Sequence, residues 1–341
     1  MVIRTNRLKY CLFLLLVCFA FFLPQLSFSL MPETVITINH IQAAMLNGEY
    51  KKAYSLVNGL CPNDSTDPTR YIFRAAVLQA EMIDTEENFA GEELKQLCDS
   101  TLLLSEDRLS NCNTADSALY YLYMGHQYAY RALWEIRFGS KLSALKNGFK
   151  ARGRYQEGLD IDSTLYDLYL GLGSFHYWKS VKSGILRSIG IFRDEREKGV
   201  REVQLAADSS FFSRDAARSA LIWIKLNEED YDAAIELAQT MFQEFPGGNS
   251  LLWPMAEAYY KKELYGDAAK IYRLILNRQI NSPGNYFNII ESSYRLCHSL
   301  EETGRADQIY KIAEYIKSIQ DKIPDSTKKR QKGNLKYLLK R

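Results

Sequence analysis

Two stretches of this chain copy each other at a fixed spacing. Tyr231 recurs as Tyr265 and Ala234 recurs as Ala268, both at a shift of 34. The same shift carries Leu221 to Met255, Ala238 to Tyr272 and Met241 to Ile275, and Pro246 closes the unit that Ala234 opens. A period of that length marks a repeat architecture, in which each unit is one supersecondary element that must stack on its neighbours to bury an apolar face. It is the strongest constraint in the sequence on what the chain can fold into.

The residue types give the unit a physical reading. Alanine at a fixed position lets two helices approach closely, and the tyrosine just before it fills the space beside a tight turn. This pattern resembles the tetratricopeptide repeat, with a first helix, a turn, and Tyr-x-x-Ala opening a second helix. Gly48-Glu49-Tyr50-Lys51-Lys52-Ala53 matches the turn and the second-helix opening. Gly48, Tyr50, Ala53, Tyr231, Ala234, Tyr265 and Ala268 are therefore the expected repeat-packing residues. Leu296, Leu300 and Gly304 read as a further first helix, followed by a second through Ile309, Ala313 and Ile316. Longer pairs are expected over 70–82 with 87–103, 116–137 with 141–160, and 164–178 with 194–208. Turn-like links at 160–163 and 281–284 separate the pairs. The resemblance implies an all-α, right-handed superhelical solenoid of about seven antiparallel helix pairs. A low proline count and the absence of β-type alternation agree with it.

The stretch 169–206 departs from a plain repeat. Gly171 and Gly173 sit where a neighbouring helix would come close, and Gly199 opens the next apolar face. In between runs Ile185-Leu186-Arg187-Ser188-Ile189-Gly190-Ile191-Phe192. This order resembles the tetratricopeptide family that includes mitochondrial outer-membrane proteins of inclusion-body clearance. The likeness implies a shared helical architecture and an adaptor-like role, not a reaction. Cations at Lys179, Lys182, Arg187 and Arg193 flank the apolar residues, which would also suit a helix lying on a lipid surface. The other reading is a loop folded over the solenoid, with Trp178 and Phe192 plugging the gap.

Residues 1–29 read as a cleaved signal peptide. Arg4, Arg7 and Lys9 precede an uncharged apolar run from Tyr10 to Leu23, and Ser27 and Ser29 supply small residues. A membrane-spanning helix needs about 20 apolar residues, more than this run provides, so a retained anchor is the lesser alternative. The solenoid is expected over 30–325, and 326–341 is expected to be a basic capping helix or tail. The whole chain carries +2 and the leader +3, which leaves the remainder at −1. A near-neutral body has no long-range attraction for nucleic acid. Four cysteines remain beyond the leader, and Cys98 and Cys112, bracketing a loop, are the candidate disulfide. The alternative is that they are lone thiols packed as small hydrophobes.

No catalytic constellation emerges. His40, His126, His176 and His298 form no helical metal pair, although His126 and His176 sit in first helices of adjacent pairs. Gly171-Leu172-Gly173 lacks the glycine and lysine of a phosphate loop. No cofactor and no metal is expected. What stands out is aromatic crowding: Tyr120, Tyr121, Tyr123, Tyr128, Tyr130 and Trp134 in one first helix, and Tyr166, Tyr169, Tyr177 and Trp178 in the next. One helical stripe cannot bury them all. Tyr120, Tyr123, Tyr130, Trp134, Tyr169 and Tyr177 are thus the candidate contacts for a protein or peptide partner in a concave groove. A glycan or small ligand is the alternative occupant.

Overall fold

A computed structural model describes residues 30, 32–61, 64–112, 114–183, 193–281 and 284–341. The leader, Ser282 and Pro283 of the link at 281–284, and the run 184–192 all lie outside the described residues. So do the alternatives proposed for that run. No strand occurs among the described residues.

Among those residues, seven antiparallel helix pairs follow one another. The first three are α1 (Pro32–Leu46) with α2 (Tyr50–Asn58), α3 (Pro68–Thr85) with α4 (Gly91–Leu109), and α5 (Thr114–Phe138) with α6 (Lys141–Ile161). Then come α7 (Asp167–Lys182) with α8 (Arg196–Ser209), α9 (Arg214–Asn227) with α10 (Tyr231–Glu244), α11 (Asn249–Lys261) with α12 (Tyr265–Ile280), and α13 (Tyr286–Glu302) with α14 (Ala306–Ile319). Two short helices, α15 (Asp325–Arg330) and α16 (Lys332–Leu338), close the chain. Consecutive helices pack on each other, and each of the first helices α1, α3, α5, α7 and α9 also touches the next one in its layer. The architecture is an all-α solenoid.

Local chemistry explains the segmentation. Asp67 caps α3, its side chain accepting the amide of Thr69 at 2.8 Å, and Pro68 occupies the first turn. Ser140, Asp230 and Asn285 cap α6, α10 and α13 in the same way. Four pairs share one turn. Gly48, Glu229, Glu263 and Gly304 have φ of 70°, 62°, 62° and 69°, each two residues before its second helix. In each, the next residue's amide bonds back to the carbonyl five positions earlier, as Arg305 does to Leu300 at 2.9 Å. Ala53, Ala234 and Ala268 are fully buried at the fourth position of α2, α10 and α12.

The middle pairs use glycine differently. Tyr155 of α6 lies against Gly125 of α5 and Gly171 of α7, and a Cβ at either would overlap its ring. Gly173 and Gly199 bring α7 and α8 together; a Cβ on Gly173 would stand 2.7 Å from the Gly199 carbonyl oxygen. At the end, Leu335 and Leu338 of α16 are buried, with α16 against α13 and α14.

The array also closes on itself. The turn of the first pair meets the link between the fifth and sixth, where the Gly247 amide donates to Asn47 Oδ1 at 3.1 Å. The end of α3 meets the start of α13, where Asn288 Nδ2 donates to the Asp84 carbonyl. Arg330 of α15 reaches Glu86, the residue that ends α3. The turn of the first pair thus touches the link between the fifth and sixth, and that of the second pair touches α15 and the start of α13.

Candidate functional site

The two crowded first helices, α5 and α7, sort their aromatics by which neighbour each one faces. Tyr123 is 1% exposed, edge-on to Phe73 at 6.4 Å, with its hydroxyl 3.1 Å from that of Thr69. Tyr177 is fully buried, donating to Glu228 at 2.7 Å and accepting from Asn227 at 2.8 Å. These two are core residues, which corrects the expectation that they meet a partner. Each sits where three helices converge, so the rule of one buried stripe per helix does not hold for them. Tyr130 packs beside His126, at 5.8 Å between rings, and against the cluster holding Cys98. Trp134 donates from Nε1 to Asn88 Oδ1 at 2.9 Å, with Lys95 4.4 Å from its ring.

Tyr120 and Tyr169 keep part of their surface. Tyr169 stands 6.2 Å from Tyr166 at the start of α7, and Tyr120 lies near the start of α5. Trp134 is at the far end of α5, so the structure does not gather the six candidates into one groove.

The expected disulfide is absent: Cys98 and Cys112 are free thiols, as are Cys61 and Cys297. Cys98 is buried between α3 and α5, and burial pushes its thiol up to about 11. Cys112 Sγ lies 3.2 Å from Ser117 Oγ. The two histidines of adjacent first helices do not meet either. His126 Nδ1 is 2.8 Å from the Tyr155 hydroxyl, whereas His176 Nδ1 is 2.6 Å from Glu202. Among the described residues no group of three or more His, Cys, Asp or Glu has the spacing of a metal site.

What sequence reasoning missed is a cleft between α8, α9 and α10 with a volume of about 770 Å³. Arg214, Arg218 and Lys225 recur at helical spacing along α9, with Leu221 in the floor; Glu236, Thr240 and Glu244 run along α10. A row of cations therefore faces a row of acids. Arg218 ties them, donating to Glu244 at 2.6 and 2.8 Å and to Asp215 at 3.0 Å. Those bonds hold the Glu244 carboxyl below its ordinary range. The signal in the sequence was the 214/218/225 spacing, which by itself resembles an ordinary solvated helix face.

No described helix is long and apolar enough to cross a membrane. Set beside known proteins, the chain matches no family model and no curated relative.

Proposed function

We propose that the chain is an exported adaptor of the tetratricopeptide kind that holds an extended polypeptide segment of mixed charge and catalyses no reaction. One observation carries this reading: the cleft between α8, α9 and α10 has a cationic wall on α9, an acidic wall on α10 with Asp208 of α8 as a further acid, and apolar Leu221 and Leu237 between them. An extended peptide turns successive side chains to opposite sides, so one with alternating signs satisfies both walls. Complementarity of this kind fixes register and selects partners. The accessible surfaces of Tyr120, Tyr166 and Tyr169 add aromatic area of a type enriched at interfaces. Export is supported by the basic start, the short apolar run and the small residues Ser27 and Ser29. The residues lining the cleft include no aromatic to stack on a sugar, which sets a peptide above a glycan.

Panning a random peptide library against the full chain tests this, with the charge-swapped Arg218→Glu/Glu244→Arg variant as comparison. The swap keeps the ion pair while reversing one charge on each wall. Peptides bearing both signs should be enriched on the wild-type chain and bind the swap roughly tenfold more weakly, about 1.4 kcal/mol. If no peptide is enriched, or those enriched bind both forms alike, the cleft is not the site.

A further inference from the structure

The second helix of the third pair carries an unusual distribution of residues. From Ile136 to Gln156 the chain has no acid, with Glu135 and Glu157 the nearest on either side. Within α6 the buried face is Ala144, Ala151, Tyr155 and Gly158. At about 100° per residue, Leu142, Leu145 and Phe149 fall on the opposite face, and they are 77%, 46% and 40% exposed. The same projection places Lys141 and Arg152 along one flank of this apolar strip and Lys146 and Lys150 along the other. All four cations are exposed. Leu133 and Ile136, at the adjoining end of α5, are exposed as well. Elsewhere cations are commonly met by carboxylates, as Arg218 is by Glu244 and Arg74 by Glu93. Lys141, Lys146 and Arg152 form no ion pair among the described residues, and Lys150 lies over the Tyr128 ring at 5.0 Å.

We infer that this outward face of α6 docks on a membrane surface of anionic lipid. The apolar strip enters the boundary between headgroups and acyl chains, and the flanking cations meet lipid phosphates. Charge complementarity names the occupant, since exposed leucines with cations on both sides, and no acid until Glu157 and Asp160 in the last turn of α6, suit an anionic interface. A protein partner fits less well for two reasons. The strip is a ridge on a single helix rather than a groove, and three of its four cations are lysines, which protein interfaces deplete. The run 184–192 is no part of this surface. None of the α6 residues lines the cleft of α8, α9 and α10, so lipid and peptide can be held together.

Flotation of the full chain with vesicles decides the matter. One set contains equal parts of phosphatidylglycerol and phosphatidylcholine, the other phosphatidylcholine alone. The readout is the change in that difference between wild type and variants, so residues 1–29, whose Arg4, Arg7 and Lys9 are present in every form, cancel. The wild-type chain should partition preferentially to the anionic vesicles and lose the preference in high salt. Lys141→Glu/Lys146→Glu/Lys150→Glu should weaken that partitioning by roughly a hundredfold or more, from about fivefold per lysine lost. Leu142→Ser/Leu145→Ser should reduce it at unchanged charge. Because every substituted residue is exposed, the helical circular dichroism and melting of both variants should match wild type. Equal flotation with both vesicle types overturns the inference, and so does an anionic preference that survives both variants. Concentration-dependent self-association abolished by the same substitutions would also overturn it, assigning the face to a second copy of the chain.

Discussion

Arg330 reaches back across 244 residues of chain to the carboxylate of Glu86. The same carboxylate takes Arg137 from the end of α5. The Arg330 guanidinium lies 4.2 Å from the Phe287 ring and 5.4 Å from that of Phe138, so aromatic faces from the seventh and third pairs receive it. In an open repeat array each unit contacts only its neighbours, and unfolding can begin at an end. Here the last helices are fastened to the second and third pairs.

Arg330→Ala should therefore loosen the C-terminal end selectively. Glu86, whose side chain is 11% exposed, would keep Arg137 alone, and both ring contacts would be lost. A destabilisation of about 1–3 kcal/mol is expected for losing charge-assisted bonds of this kind. Amide hydrogen exchange checks it: protection should fall across α13–α16 while α5–α7 hold theirs. Uniform loss of protection, or none, would show that Arg330 does not fasten the array.

Pairs 5 and 6 could be read from sequence because their turns and alanines recur at a strict period. Glutamate in place of glycine at positions 229 and 263 did not hide them, since Tyr-x-x-Ala follows each. The aromatic site was only half legible. Helical periodicity counts one buried stripe, but α5 packs against α3, α4, α6 and α7. Tyr123 therefore faces α3 while Tyr130 faces α4. Closure left no trace at all, because Asn47, Gly247, Glu86 and Arg330 are single polar or small residues with no period. The cleft was illegible for a related reason: each of its walls alone resembles an ordinary solvated helix face, and only the pairing of α9 with α10 gives the two rows meaning.

Gly173 and Gly199 set the separation of α7 and α8. A Cβ on Gly199 would stand 2.6 Å from the Gly173 carbonyl and 2.7 Å from the Tyr177 amide nitrogen. Backbone cannot yield as a side chain does, so Gly199→Ala should destabilise by about 1–3 kcal/mol, the range for overpacking. Gly153 is the control. It lies on the exposed side of α6 with nothing within 4 Å of an added Cβ, and Gly153→Ala should stabilise by about 0.5–1 kcal/mol through helix propensity. Urea midpoints that move in the same direction for both variants would contradict the close approach.

Because Cys98 and Cys112 are free thiols, reductant should leave the melting temperature unchanged. Under denaturing conditions a chain prepared without residues 1–29 should react with four equivalents of a thiol reagent, one for each of Cys61, Cys98, Cys112 and Cys297. Fewer equivalents before reduction, or a melting temperature that falls with reductant, would restore the disulfide.

Two buried groups give stability opposite pH dependences over nearly the same range. Burial lowers His126 to about 4, so between about 4 and the ordinary imidazole value of about 6.5 the unfolded chain binds the extra proton. Stability from this group is present above that window and is lost as pH falls through it. Burial raises Asp84 to about 6, with the Tyr50 hydrogen bond opposing and nearby Glu81 assisting. Between the ordinary carboxyl value of about 3.9 and about 6 the folded chain binds the extra proton, so stability from Asp84 rises as pH falls. In the wild-type chain the two trends offset each other. Asp84→Asn removes the second alone: the variant should be more stable than wild type at pH 7 and lose that advantage progressively as pH falls from about 6 to about 4. His126→Gln should do the reverse, steepening the gain on acidification. Denaturant titrations across this range give both slopes, and an Asp84→Asn difference that stays constant with pH would show that this carboxyl does not titrate in the fold.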